Sequence, residues 1–257
     1  MKVSIVTISF NQAEFLEEAI LSVLNQDYSN IEYIVVDPGS KDGSREIIEK
    51  YRDQIDTIIY EPDSGPADGL NNGFSKATGD VYAYLNADDT LSLNACSTFV
   101  DAFSNCDADV ISSHGYIMNR DGEVVKKVYS HKYDPVAYVY GACVLVQQST
   151  FFKASFFDVV GGFNRDNRVS WDGELWFDIA KKGAKFDRIG GYYSNFRIYE
   201  DSITGSGRYR SMSLDVLKRH AADLKLSNVG GKLMKRFYWF KIRIFDIKLL
   251  LLRFRKN

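Results

Sequence analysis

The chain has 257 residues, of which 45% are hydrophobic and 26% charged, with a formal net charge of −2. This composition is typical of a folded globular protein with one large α/β domain or two small ones, and the charge excludes a general nucleic-acid binder. The three cysteines, Cys96, Cys106 and Cys143, show neither a disulfide framework nor a zinc-binding spacing. Without a signal-peptide pattern or an apolar run long enough to span a bilayer, we expect a cytoplasmic protein.

The first 90 residues alternate between predicted strands and helices. Apolar, β-branched runs indicate strands at residues 3–9, 31–37, 57–60 and 81–86. Helical spacing and helix-start signals indicate helices at residues 14–24, 44–51 and 67–77. The alternation predicts a Rossmann-like α/β fold, in which a mostly parallel sheet is flanked by helices. Ligands bind such sheets at the carboxyl ends of the strands, so the polar loops that follow these strands are the candidate binding loops.

The next 120 or so residues carry two more predicted helices and a hairpin. Helical spacing is found at residues 93–103 and 172–182, and a hairpin is indicated at 109–129 around the turn Asn119-Arg120-Asp121-Gly122. Residues 192–207 are rich in polar residues and end in glycine and serine. This last segment is predicted to be a mobile loop over the site.

Carboxylates follow two of the predicted strands. Asp88 and Asp89 come directly after the strand at 81–86, where charge is costly without a cation; Mg²⁺ or Mn²⁺ would take their oxygens and leave positions for a diphosphate. Asp37 ends the second strand and suits hydrogen bonding to a base imide or a ribose hydroxyl. The alternative for all three residues is ordinary turn and helix-cap chemistry.

Five segments, in the same order, resemble motifs of the family 2 glycosyltransferases of the GT-A fold, particularly bacterial enzymes of polysaccharide and lipid-linked oligosaccharide synthesis. They are residues 3–11, 21–26, 36–44, 71–79 and 86–89. The order of the five segments makes this match specific, and it extends to about residue 205.

The resemblance implies roles for residues in the first half of the chain. The nucleotide would be held by Thr7, Phe10, Asn11, Asp37, Asp68, Asn71 and Asp88. Asp88 and Asp89 would hold Mn²⁺ or Mg²⁺. Residues 1–90 would form the nucleotide-sugar-binding half of a catalytic domain and residues 91–210 its acceptor-binding half, followed by a helical extension at 211–257.

The segment Trp171-Asp172-Gly173-Glu174-Leu175-Trp176 resembles the family segment that carries the general base, and Asp172 takes that position. Sugar transfer by direct displacement needs a carboxylate to accept the proton of the attacking hydroxyl, and a metal to offset charge on the departing diphosphate. One base opposite one metal implies inversion at the anomeric carbon. The alternatives are that Asp172 caps its helix and that Glu174 is the base or an acceptor contact.

Three residues depart from the family pattern. Asn86 stands where many relatives have Asp, and Trp171 replaces the usual acid before the base, where it would pack on the acceptor sugar. Tyr199 stands where relatives often carry His, and it is a weaker metal ligand. Arg197, two residues earlier, is either a diphosphate contact or a surface side chain.

The end of the chain is basic and apolar. From Gly230 onward it carries nine Lys or Arg residues and one acid, Asp246. Residues 232–256 interleave these cations with bulky apolar groups, a composition typical of a helix lying on an anionic membrane surface. We therefore expect a peripheral protein on the inner face of the cytoplasmic membrane. The alternatives are packing on the catalytic domain or on a second subunit, as in a homodimer.

These patterns together predict transfer of one sugar from a nucleotide-sugar donor, with a UDP-sugar favoured, to a hydroxyl of a glycan or lipid-linked acceptor. A nucleotidyltransferase is the first alternative, but the loop Ser9-Phe10-Asn11-Gln12 lacks the glycine and cation expected there. A nucleotide-sugar-binding module without activity is the second. A dinucleotide oxidoreductase is disfavoured because no G-x-G-x-x-G follows the first strand.

Overall fold

The computed structural model describes residues 1–202, 205, 210–227 and 229–246. Its strands are β1 (Val3–Ile8), β2 (Ile31–Val36), β3 (Thr57–Ile59), β4 (Val81–Asn86), β5 (Thr90–Leu91), β6 (Val110–Met118), β7 (Val124–Val128), β8 (Thr150–Lys153) and β9 (Phe186–Arg197). Its helices are α1 (Ala13–Leu24), α2 (Ser44–Lys50), α3 (Pro66–Phe74), α4 (Ala95–Asn105), α5 (Pro135–Val139), α6 (Ala154–Val160), α7 (Trp171–Lys181), α8 (Arg210–Asp223) and α9 (Lys232–Phe245).

The described strands form one sheet in the order β3-β2-β1-β4-β8-β6-β9-β5, with β7 paired to β6. β1 runs parallel to both β2 and β4, and Ile8 is in register with Val36 on one side and Asn86 on the other. The three strands therefore end at the same level, and their following loops leave the same edge of the sheet. This register, which follows from the strand–helix alternation, brings the predicted binding loops together.

The second half of the sheet is mixed. β8 runs antiparallel to β4 and β6, whereas β6 and β9 are parallel. The predicted α/β fold and the hairpin of β6 and β7 are confirmed. The predicted loop at 192–207 is wrong for its first six residues, which extend β9 and pair with β5 and β6. Of the remainder, residues 203, 204, 206 and 207 lie outside the described residues.

Two hydrophobic clusters cover the faces of the sheet. One packs Leu16, Ile20 and Phe99 of α1 and α4 against one face, and the other packs Leu70, Trp176 and further residues of α3, α6 and α7 against the opposite face. Each fully buried side chain of this size contributes about 1.5–3 kcal/mol of transfer free energy. Two packed layers of this kind make the sheet rigid, so the loops at its edge have a fixed base.

The C-terminal helices α8 and α9 pack against α5 and α7. Ala221 of α8 contacts Val139 and Phe177, and Ile242 of α9 contacts Ala137. Just beyond α9, Asp246 pairs with the Arg188 guanidinium, with 2.9 Å between Nη2 and Oδ1. Residues 247–256 of the predicted membrane-binding segment lie outside the described residues. No described helix is both long enough and apolar enough to span a bilayer.

Candidate active site

A cavity of about 690 Å³ opens where β1, β2 and β4 end. This is within the usual range of small-molecule sites. Its lining comes from all parts of the catalytic domain: Phe10 after β1, Asp88 after β4, Asp172 in the first turn of α7 and Tyr199 after β9. The sequence-predicted residues Phe10, Asp88, Trp171, Asp172 and Arg197 are thus brought to one cavity.

The loops after β1 and β2 are fastened to one another by hydrogen bonds. The Asn11 backbone N–H donates to Ser40 Oγ (2.8 Å), and Asn11 Oδ1 accepts from the Lys41 backbone (3.0 Å). Asn11 has a φ of 52°, a left-handed conformation that asparagine tolerates better than most residues. Asn11 therefore positions Phe10, whose side chain is 60% exposed at the cavity, and does not itself line the cavity.

Asp37 is fully buried at the end of β2. Its Oδ1 accepts from the backbone N–H of Ser40 (2.8 Å) and from Arg45 Nε (3.1 Å), whereas Oδ2 has no hydrogen-bond partner. The next residue, Pro38, lines the cavity. A buried carboxylate oxygen without a donor is costly. Asp37 itself does not line the cavity, so its role as a nucleobase contact stays a prediction that rests on this unsatisfied oxygen.

Thr7 is fully buried inside the sheet, where its hydroxyl accepts a hydrogen bond from Tyr33 Oη (3.0 Å). The structure therefore places the Thr7 side chain behind the cavity. Burial raises the pKa of Tyr33, which keeps the phenol a donor to Thr7. A direct contact between the Thr7 side chain and a nucleotide does not fit this arrangement.

Asp68 and Asn71 of α3 also lie outside the cavity lining, and each holds a neighbouring loop. Asp68 accepts from the Ser64 backbone and hydroxyl, both at 2.9 Å, and pairs with Arg165. Asn71 makes two 2.8 Å hydrogen bonds to the backbone of Phe163. These contacts tie α3 to the loop that leads into α7. Both residues thus support the site instead of contacting the nucleotide as predicted.

The adjacent carboxylates Asp88 and Asp89 face different surroundings. Asp88 is partly exposed and lines the cavity, with one oxygen 3.2 Å from Tyr199 Oη. Asp89 is fully buried, and it accepts from the Arg197 backbone (2.9 Å), Gln148 Nε2 (2.8 Å) and Asn86 Nδ2 (3.2 Å). Burial raises the pKa of both groups, and the Asp88 charge raises that of Asp89 further.

The predicted pair of metal ligands stays a prediction, and this geometry sets its two members apart. Both oxygens of Asp89 are already taken by donors of the protein, so Asp89 fixes the turn. Asp88 is the carboxylate that is open to a cation. Beside it, Asn86 lines the cavity and its buried Oδ1 has no hydrogen-bond partner.

Arg197 is a buried anchor, which corrects both earlier interpretations of it as a diphosphate contact or a surface residue. Its side chain is 2% exposed. The guanidinium donates to the Asp88 carbonyl (2.9 Å), to the Arg120 carbonyl (2.7 Å) and to Glu18 (2.5 Å). Because these bonds use its donors, Arg197 holds the Asp88 turn against α1 and the β6–β7 turn.

Asp172 and Trp171 both line the cavity at the start of α7. Burial raises the pKa of the Asp172 carboxyl, and a backbone N–H of the helix start partly opposes this. Gly173 lets Tyr138 approach, since a Cβ there would lie 2.3 Å from Tyr138 Oη. Asp172 is therefore held on a packed helix end, facing the cavity, with the elevated pKa expected of a general base.

Glu174 points elsewhere. It is 7% exposed and accepts from Asn167 (2.5 Å), Asn164 (3.1 Å) and Arg219 (3.3 Å). Burial alone would raise its pKa, but the His220 side chain and the two asparagines outweigh burial and lower the pKa to about 2. Glu174 is thus an anchor for the loop before α7 and for α8, and it does not line the cavity.

Several cavity residues were missed by the sequence analysis. They are the acids Asp63 and Asp201, the amides Gln12, Gln147 and Gln148, and an apolar wall of Val128, Val144, Leu145, Val146 and Val169. Nothing in residues 144–148 is periodic or charged enough to mark them as site residues. The sequence signal for Asp63 was present, because it lies in the turn-rich loop between β3 and α3.

The charges at the cavity fit a bound divalent cation. Among the described lining residues the acids are Asp63, Asp88, Asp172 and Asp201, and the cation is Arg197, whose guanidinium is engaged elsewhere. The described residues contain no cluster of three or more His, Cys, Asp or Glu side chains that could hold a metal alone. Asp88 and Asn86 Oδ1 offer the hard oxygen ligands that Mg²⁺ and Mn²⁺ prefer, and the remaining positions would fall to diphosphate oxygens.

Residues 4–161 match the family model for glycosyl transferase family 2. Over 229 residues the chain is 30% identical to the GalNAc(5)-diNAcBac-PP-undecaprenol β-1,3-glucosyltransferase of Campylobacter jejuni, with 79% of this chain and 67% of that protein covered. An uncharacterized glycosyltransferase of Nostoc sp. is 35% identical over 128 residues, 49% of this chain and 40% of that protein. The chain thus spans between two fifths and two thirds of the length of these two relatives.

Solved structures share the fold. S. aureus TarS 1-349 in complex with UDP-GlcNAc superposes with a TM-score of 0.69 at 16% identity, covering 94% of this chain and 71% of that one. The mannosyltransferase PcManGT of Pyrobaculum calidifontis, in complex with GDP-Man and Mn²⁺, gives a TM-score of 0.66 at 18% identity, covering 89% and 65%. At these identities the likeness confirms the predicted GT-A fold and no more.

Proposed function

The chain belongs to glycosyl transferase family 2, and from this premise we propose that it transfers one sugar, with inversion, from a nucleotide-diphosphate sugar to a hydroxyl acceptor, with the help of a divalent metal. The observation that carries the proposal is the meeting of Asp172 and Asp88 in one cavity. One carboxylate has a raised pKa, which suits a base, and the other is open to a cation beside an unpartnered amide oxygen.

The reaction is a single displacement at the anomeric carbon. Asp172 accepts the proton of the acceptor hydroxyl as its oxygen forms the new bond to that carbon. The bond between the same carbon and the diphosphate oxygen breaks, and the nucleoside diphosphate leaves with the electron pair. A base on one side and the leaving group on the other give inverted configuration. Positioned general-base catalysis of this kind accelerates reactions by about 10²–10⁴-fold.

Asp88 and Asn86 would hold the metal, which when bound offsets the charge on the diphosphate. Without a cation, the diphosphate would face the carboxylates of the cavity lining, since the Arg197 guanidinium is already bonded. Tyr199 donates to Asp88, and burial followed by the Asp88 charge raises the Tyr199 pKa to about 12. The phenol therefore stays protonated and keeps the Asp88 carboxylate oriented.

A UDP-sugar is the favoured donor. The buried Asp37 Oδ2 lacks a donor, and the imide N–H of uracil supplies one. TarS 1-349 binds UDP-GlcNAc, in line with this choice, whereas PcManGT binds GDP-Man. Guanine also presents an N–H to such an acceptor, so GDP-sugars are the competing donors.

A lipid-linked glycan is the favoured acceptor. The cavity lining includes an apolar wall, in which Val144 is 48% exposed. A wall of this kind suits the apolar anchor of an acceptor better than a free sugar. The Campylobacter jejuni relative acts on a GalNAc(5)-diNAcBac-PP-undecaprenol substrate, which is such an acceptor.

The test is a panel of nucleotide sugars incubated with the protein and Mn²⁺ or Mg²⁺, with nucleoside diphosphate release as the readout. Slow hydrolysis to free sugar reports the donor even without acceptor. We expect metal-dependent release from a UDP-sugar, which is lost in Asp88→Asn. Metal-independent release would contradict the role of Asp88, and the absence of both release and calorimetric binding of UDP and GDP would contradict the donor site.

A further inference from the structure

α9 presents apolar side chains on two opposite faces. One face carries Met234, Tyr238 and Ile242, spaced four residues apart, and lies against the catalytic domain. Ile242 is 9% exposed, and the Tyr238 ring stacks on Tyr140 with 5.0 Å between centroids. This face accounts for the attachment of the helix to the domain.

The second apolar face of α9 is exposed, and no described residue buries it. Leu233, Phe237, Phe240 and Ile244 follow one another at spacings of four, three and four residues, so they form a single stripe. Their exposed fractions are 80%, 58%, 57% and 63%. Scattered exposed apolar residues need no explanation, but a continuous stripe of large ones marks an interaction surface.

Cations border this stripe. Lys232 and Arg236 are exposed, whereas Lys235 lies near Gly141 on the other side of the helix, and α9 contains no Asp or Glu. The Arg243 guanidinium lies 3.7 Å from the centroid of the Trp239 ring. Residues 1–229 carry 23 Lys or Arg against 33 Asp or Glu, so the positive charge is concentrated at the end of an otherwise acidic chain.

From this arrangement we infer that α9 is a docking helix that lies in the plane of an anionic lipid bilayer, with its free stripe inserted among the acyl chains. Lysine and arginine reach the lipid headgroups from the borders of such a stripe while the aromatic groups enter the apolar layer. A second copy of the chain is a poorer partner. An isologous contact through the same stripe would bring two rows of cations together.

Docking through α9 also orients the cavity, and this step rests on the proposed function. Ile242 contacts Ala142 and Cys143, and the next two residues of the chain, Val144 and Leu145, line the cavity. The apolar wall therefore begins directly beside the docking helix. A lipid-linked acceptor could present its sugar to Asp172 while its anchor stays in the bilayer.

The test is co-sedimentation of the full chain with vesicles of phosphatidylglycerol or of phosphatidylcholine. We expect binding to the anionic vesicles that weakens as salt is raised, and little binding to the neutral ones.

The double variant Phe237→Ser/Phe240→Ser should bind the anionic vesicles at least about tenfold more weakly than the native chain does. Lys232→Gln/Arg236→Gln should reduce binding to the anionic vesicles and remove its salt dependence in part. The matched control is Leu93→Ser/Val159→Ser, which removes two equally exposed apolar groups away from α9.

Equal vesicle binding by the native chain and the Phe237→Ser/Phe240→Ser variant would overturn the proposal. Concentration-dependent dimers that this variant abolishes, without vesicle binding, would also overturn it and make a second copy the occupant. Donor hydrolysis in solution should be unchanged in all α9 variants. If the chain binds vesicles but hydrolyses no donor, the docking helix stands and the proposed reaction fails, so the two proposals fail separately.

Discussion

The part of the cavity that we propose for the donor presents polar groups that follow β1, β2 and β4, whereas the part that we propose for the acceptor is an apolar wall. On the donor side, Asn11, Asp37 and Asp89 each bond to backbone groups of neighbouring loops. The backbone of the wall is bonded as well, because the N–H groups of Val144 and Val146 donate to His131 Nδ1 (3.2 Å) and Ser130 Oγ (2.8 Å). The two parts therefore differ in the groups that face the cavity: under the proposed function, polar groups would recognise the nucleotide and the wall would contact an apolar part of the acceptor.

The largest effect on turnover is expected from a substitution of Asp172, the proposed general base. Asp172→Asn keeps the size of the side chain but cannot accept the proton, so kcat should fall by about 10²–10⁴-fold while the Kd for UDP changes little. Steady-state kinetics and calorimetry give the two values. Glu174→Gln is the control, because Glu174 faces away from the cavity. If it abolished turnover and Asp172→Asn did not, Glu174 would be the base.

The pH dependence follows from the raised pKa of Asp172. Only the deprotonated carboxylate is a base, so kcat should fall as the pH drops through this pKa, which lies above the 3.8 of an ordinary aspartate. A profile of kcat against pH, measured between acid and neutral pH, locates this fall in activity. If the residual activity of Asp172→Asn fell with pH in the same way, the titrating group would be a residue other than Asp172.

Asp88 and Asp89 provide the sharpest comparison, because they are adjacent and differ in environment. Asp88→Asn should weaken metal-dependent UDP binding about tenfold or more and leave the free energy of unfolding nearly unchanged. Asp89→Ala should instead lower that free energy by about 1–3 kcal/mol, since the donors of Gln148, Asn86 and the Arg197 backbone lose their acceptor. Calorimetric titration and urea unfolding separate the two effects. The reverse pattern would make Asp89 the ligand.

Glu174 lies outside the cavity lining and is held by hydrogen bonds from Asn164 and Asn167. Its folded pKa of about 2 lies below the 4.5 of an ordinary glutamate, so its stabilising contribution is present above pH 4.5 and is lost as the pH falls toward 2. Glu174→Gln should therefore lower the free energy of unfolding by on the order of 2 kcal/mol at pH 7, and by less at pH 3. Urea unfolding at both pH values gives this difference. A pH-independent loss would point to lost packing.

The smallest effect is expected at the apolar wall. Val144→Ser should raise the KM for an acceptor with an apolar anchor by roughly 2–5-fold, because the side chain is only half buried to begin with, and should leave donor hydrolysis unchanged. Val125→Ser on β7, where the side chain is 60% exposed against 48% for Val144 and does not line the cavity, is the control. If Val144→Ser raised the KM equally for an acceptor without an apolar anchor, the wall would not recognise apolar groups.

The sheet edge that carries the cavity could be predicted from the sequence, but of the predicted nucleotide-binding residues only Phe10 and Asp88 are among the described lining residues, whereas Thr7, Asn11, Asp37, Asp68 and Asn71 are not. The loops at this edge directly follow strands, and the positions of Asp37, Asp88 and Asp172 relative to those strands and helices follow from local periodicity. The acceptor side could not be predicted, because residues 144–148 carry neither a periodic pattern nor a charge cluster. The loop prediction for 192–197 failed since polar residues were taken as exposed, while β5 and β6 pair with them.

The sequence by itself determined the α/β order and the location of the candidate binding loops, because strand and helix periodicities and the acids at strand ends are local properties, and the resemblance to the family motifs gave Asp172 as the candidate base. Only the tertiary structure decided which of two neighbouring acids faces the cavity. Asp89 turns inward to meet the Arg197 backbone, 108 residues further along the chain, and the Arg197 side chain holds the Asp88 carbonyl. Contacts between such distant residues depend on how the strands pair, and no local pattern records them.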